Sequence, residues 1–100
     1  MSEKQIDKAS QLRDAGKTNE AKKILTPMLQ SKNYRVAVNA NDALGICYMN
    51  ADDFRSAVKY YKKAFVLSKK NNWNKRLGGI TRNLSIALRH IEKYKEAEKK

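Results

Sequence analysis

Ala21, Ala57 and Ala97 lie in three segments that resemble one another, at spacings of 36 and 40 residues. A period between about 20 and 50 residues implies stacked supersecondary units, each burying its apolar face against its neighbours. The clearest copy runs Leu44-Gly45-Ile46-Cys47-Tyr48, then Phe54, Ala57, Tyr61 and Ala64. Its small residues fall where paired helices must approach closely, and large ones fill the gaps between them. Another copy reads Leu84-Ser85-Ile86-Ala87-Leu88, then Tyr94 and Ala97, and a weaker first copy reads Ala9, Leu12, Ala21, Leu25 and Met28.

Local signals make each unit helical. With one Pro and four Gly, and no run of alternating β-branched and polar residues, the chain holds no sheet pattern. Helices are expected over Ser2–Ala15, Thr18–Gln30, Tyr34–Asn50, Asp53–Lys69, Trp73–Ile91 and from Tyr94 onward, the last pair separated by a break near Glu92 and Lys93. Asp52 and Asp53 offer oxygen acceptors and negative charge at a helix start. Pro27 would remove a hydrogen bond inside the second helix, so a kink or an early end is expected there.

Size and composition narrow the function classes. One hundred residues make one compact domain, too short for two ordinary domains or for a large enclosed substrate cavity. No apolar run approaches the roughly 20 residues that span a bilayer, and Met-Ser-Glu-Lys-Gln lacks the apolar core of a signal peptide, so no membrane role and a cytoplasmic location are expected. The one cysteine, Cys47, cannot form an internal disulfide, and with the one histidine, His90, it cannot complete a zinc site. No metal and no cofactor are expected.

The middle copy carries a recognisable pattern. Leu44, Gly45, Tyr48, Ala57, Tyr61 and Ala64 resemble the tetratricopeptide repeat, whose 34-residue consensus reads Trp-x2-Leu-Gly-x2-Tyr, then Ala-x3-Phe-x2-Ala and a late Pro. Asn41 stands where the consensus has Trp, and Lys69 where it has Pro. The third copy is similar through Leu84, Ser85 and Ala97, and the first through Ala9, Leu12, Ala21 and Leu25. The resemblance implies an all-α domain, a right-handed superhelical array of antiparallel hairpins at about 2–33, 34–71 and 73–100, the last one cut short. It also implies an uncapped C-terminal edge of Ile80, Leu84, Ala87, Leu88, Ile91 and Tyr94, a surface for a homodimer or for intramolecular packing.

Such repeats bind peptides or proteins along a concave groove and catalyse nothing. Counting from the signature positions, the resemblance places Ile6, Ser10 and Arg13 in that groove, with Asn39, Asp42, Ile46 and Met49, then Arg82, Asn83, Ile86, Arg89 and His90. Asn can bond both backbone groups of an extended peptide, Arg can grip a carboxylate through two bonds, and Ile and Met offer apolar pockets. An extended peptide of acidic character is the matching partner. A family subgroup grips chaperone C-termini with Lys, Asn and Arg, but Ile6, Ser10, Ala43, Gly79 and Asn83 hold those positions, which argues against that ligand.

Nucleic acid is the alternative partner. The chain carries a net charge of +12, and between Arg55 and Arg89 there are ten basic residues and no acidic one. Lys59, Lys62, Lys63, Lys69, Lys70, Lys75 and Arg76 could meet phosphates, with Trp73 stacking a base. The same pattern describes a solvated helix face with Trp73 anchoring the fifth helix on the fourth. Catalysis has little to stand on. Asp52 and Asp53 are explained as caps, His90 lacks a partner at helical spacing, and Cys47 reads as a small buried residue.

Overall fold

The computed structural model describes residues 3–98, without the side chains at 3, 94 and 96–98. All regular structure among them is helical: α1 (Glu3–Asp14), α2 (Thr18–Leu25), a 3-10 turn (Thr26–Met28), α3 (Tyr34–Asn50), α4 (Phe54–Lys70) and α5 (Asn74–Glu98). No helix there is long and apolar enough to cross a membrane.

Three reversals share one design. Gly16, Asp52 and Asn72 take left-handed backbone conformations, with φ of 82°, 60° and 56°. After each, the next N–H reaches back five residues: Lys17 N to Leu12 O, Asp53 N to Tyr48 O and Trp73 N to Ser68 O, at 2.8–2.9 Å. This bonding satisfies carbonyls that a helix end would otherwise leave open. Helix starts are capped at Asn33, whose side chain accepts from Arg35 N, and at Asp53, which accepts from Ser56 N and from the Ser56 hydroxyl. Asp53 therefore caps as expected, whereas Asp52 forms the preceding left-handed turn. Pro27 lies within the 3-10 turn, and α2 stops before it at Leu25, the early end that its missing N–H predicts.

The expected break near Glu92 and Lys93 does not occur. α5 runs unbroken to Glu98, so the third unit is one long helix rather than a hairpin, and five helices take the place of six. No Gly or Pro lies between Ile91 and Glu98, and Glu, Lys and Ala favour helix, so local propensity prevails over the repeat period. The roles expected of the Tyr94 and Ala97 side chains lie outside the described residues.

Helices pack largely in chain order: α1 on α2, both on α3, α3 on α4, and α4 on α5. α3 is enclosed on nearly every side, with Val36, Ala37, Val38, Ala40, Leu44 and Cys47 buried. On one side it joins Ile6, Ala9, Ala21, Leu25 and Met28. On another, Val38 meets Ala64 and Ile80. Gly45 makes the close approach to α4 possible: a Cβ there would stand 2.5 Å from Tyr61 Cε1. Ala21 and Ala57, two of the three repeated alanines, are fully buried.

The C-terminal edge is less open than expected. Ile80 and Ala87 are buried, and Leu84 and Ile91 pack on the Ala57, Val58 and Tyr61 cluster. Leu88 is exposed. A stripe at positions 80, 84, 87 and 91 keeps one side of α5 on α4, which is intramolecular packing of the kind given as the alternative to a homodimer.

Candidate functional site

A trough floored by α3 opens between α1 and the start of α5. It consists of two adjoining hollows of about 480 and 330 Å³ that share Ile6, Asp7, Asn39 and Arg76. Ile6, Ser10 and Arg13 line it from α1 at i, i+4 and i+7, while Asn39, Asp42 and Ile46 recur at i, i+3 and i+7 on α3. The structure thus brings together the residues expected from the first two units, except Met49. Arg35, Trp73 and Lys75 extend the lining toward α5.

The floor holds an ion pair that is buried on its carboxylate side. Asp42 is nearly buried, and its Oδ2 accepts from Arg76 Nη2 at 2.7 Å, a charge-assisted contact. Its Oδ1 accepts from Asn83 Nδ2 at 3.2 Å. Arg76 and Asn83, seven residues apart, lie on one face of α5, so this carboxylate ties α3 to α5. Asp42 and Asn83, expected as ligand contacts, are therefore already engaged with one another. The lining cations are Arg13, Arg35, Lys75 and Arg76, against the carboxylates of Asp7 and the already paired Asp42. Arg13 also reaches Asp14 at 3.4 Å. The trough retains a positive balance.

Other expected groove residues lie elsewhere. Met49 packs with Ala57, Val58 and Tyr61. Ile86 is half-buried on α5, and Arg82 and Arg89 are exposed there, outside the lining of either hollow. His90 stacks on Phe54 with ring centroids 4.4 Å apart, on the side facing α4. Those on α5 share one cause: the helix is held by its stripe on α4, and its 82–90 segment contributes no lining to either hollow.

The basic block divides in two. Lys59, Lys62, Lys63, Lys69 and Lys70 are exposed on α4, whereas exposed Lys75 and half-exposed Arg76 belong to the trough. Lys59 and Lys63 stand 5.6 and 5.5 Å from the Tyr60 ring, and Tyr60 stacks on Tyr48 at 5.4 Å. Trp73 is half-buried, edge-on to Tyr34 at 5.8 Å, and packs against Val38, Ala64 and Ile80. Its position is that of an anchor for the start of α5 against α3 and α4.

Burial also governs the acidities nearby. It pushes up the Cys47 thiol, against the opposing charges of Arg13 and Lys22, and pushes the Tyr61 hydroxyl far up, helped by the Asp42 charge. Tyr48 is raised by burial and then by Tyr60. Cys47 is fully buried, as expected of a small core residue. No group of three potential metal ligands occurs among the described residues.

Sequence reasoning missed Arg76, grouped with the lysines beside it, and also Asp7 and Arg35. A spacing of seven between Arg76 and Asn83 was the available signal, but the contact with Asp42 spans 34 residues. No family model matches the chain, and neither the curated proteins nor the solved structures provide a match.

Proposed function

We propose that the chain is a non-catalytic, tetratricopeptide-like binding module that holds an extended acidic peptide or protein segment in the trough. In this reading α1 with α2 and α3 with α4 are repeat hairpins, α5 opens a third, and the array follows a right-handed superhelix. The buried Ala21 and Ala57 and the contact of Gly45 with Tyr61 support it. The observation that carries the function is the trough's positive balance beside the half-exposed amide of Asn39, which can bond a peptide's N–H and C=O together. A homodimer remains a further proposal, with Leu88 as its exposed apolar contact.

An array of capped acidic peptides tests the reading. Binding to its acidic members should fall about tenfold or more in an Asn39→Ala, Lys75→Glu variant, since few contacts carry most of an interface's energy. Equal binding by the wild type and this variant defeats it. Nucleic-acid binding is the second reading, supported by the exposed lysines of α4 and the absence of acidic residues between Arg55 and Arg89. Lys62→Glu, Lys69→Glu and Lys70→Glu together should then weaken binding to RNA or DNA and flatten its salt dependence. Unchanged affinity removes that reading.

A further inference from the structure

A separate hollow of about 470 Å³ lies between the end of the 3-10 turn and α4, lined by Leu29, Asn41, Lys62, Lys63, Val66 and Leu67. Asn39 and Asn41 lie two residues apart on α3, about 200° around the helix, so this hollow faces away from the trough. It does not depend on the trough reading. Its size falls within the roughly 300–1,000 Å³ of small ligand sites.

Asn41 lines the hollow and is 1% exposed. Its Nδ2 donates to Ala37 O at 2.8 Å and to Leu29 O at 3.4 Å. Its Oδ1 is buried and has no hydrogen-bond partner among the described residues. A buried acceptor left unpaired is costly, so a donor delivered to it is favoured. Beside it Val66 is 60% exposed, an apolar side chain turned outward at the mouth. Lys62 and Lys63 are exposed at the rim, and the lining contains no carboxylate.

We propose that this hollow docks an acidic segment of a protein partner by accepting one tryptophan side chain from it. The indole body suits the apolar walls of Leu29, Val66 and Leu67, and its N–H is the donor that Asn41 Oδ1 lacks. Carboxylates on either side of the tryptophan meet Lys62 and Lys63, which steer the approach. A nucleic acid fits less well, because the walls are aliphatic and offer no ring on which a base could stack.

The probe is a fluorescein-labelled, capped peptide with one tryptophan between two glutamates on each side, followed by anisotropy at physiological salt. The wild type should bind it saturably. Val66→Glu should weaken binding about tenfold or more, as should replacing the peptide's tryptophan by alanine. Asn41→Trp, which fills the hollow from within, should abolish the tryptophan-dependent binding. Val66→Glu alters an exposed side chain, so it stays informative if Asn41→Trp does not fold. No saturable binding by the wild type overturns the proposal, and so does equal binding of the alanine peptide, which would mean charge alone. Loss in Asn39→Ala with retention in Val66→Glu overturns it too, by moving the peptide to the trough.

Discussion

Arg76 and Asp42, 34 residues apart in the chain, meet at 2.7 Å with the carboxylate nearly buried and the guanidinium still partly in water. That asymmetry decides which partner can be removed cheaply. Arg76→Ala leaves a nearly buried carboxylate with Asn83 as its remaining bond, and should destabilise the fold by about 1–3 kcal/mol. Asp42→Ala leaves a guanidinium that water can reach, so it should cost less in thermal or urea unfolding. If Arg76→Ala proved the milder change, the pair would not be holding α5 to α3.

Gly45 sets the distance between α3 and α4. Gly45→Ala places a methyl against the Tyr61 ring and should cost about 1–3 kcal/mol by overpacking. Tyr61→Leu removes the ring, and combining it with Gly45→Ala should cost less than the sum of the single changes. Strict additivity in denaturant melts would assign the penalty to another contact.

Alkaline pH should unfold the protein through its buried hydroxyls. Burial pushes the pKa of Tyr61 and Tyr48 up in the fold, so above about pH 10 an unfolded tyrosine ionises while the folded one keeps its proton. The unfolded state then holds fewer protons, and stability falls as pH rises. Below that range these groups contribute no slope. Melting temperatures between about pH 8 and 11 should show the decline, and Tyr61→Phe should flatten it.

Cys47 should be unreactive in the native state. Burial pushes its pKa up and closes access, so a thiol reagent near pH 8 should label it slowly, and far faster in denaturant. Rapid native labelling would show that the Ile6–Leu25–Leu44 cluster opens readily.

Much of the helical plan was legible because its signals are local. α3 spans Tyr34–Asn50, the limits its flanking asparagines suggested, and Pro27 ended α2 early. Trough residues on α1 and α3, Met49 excepted, were legible through the resembled repeat, whose signature positions mark the face that each helix turns inward. On α5 the same counting failed, since the face presented there depends on where Ile80 and Ala87 bury themselves on α4. Arg76 was unreadable from its neighbours Lys75 and Leu77, because only folding brings Asp42 to it. Asn41 was legible as a small amide where the consensus has an indole, but the hollow that it lines needed the surrounding walls.

The left-handed residues at Gly16, Asp52 and Asn72 give the molecule its joints. Each reverses the chain within a few residues and takes up its carbonyls in the backbone itself, so direction is encoded by main-chain handedness and hardly at all by loop side chains. Glycine accepts that handedness freely, whereas aspartate and asparagine pay some strain for it. One β-branched residue set at such a hinge would strain the left-handed turn and re-aim the helix beyond it.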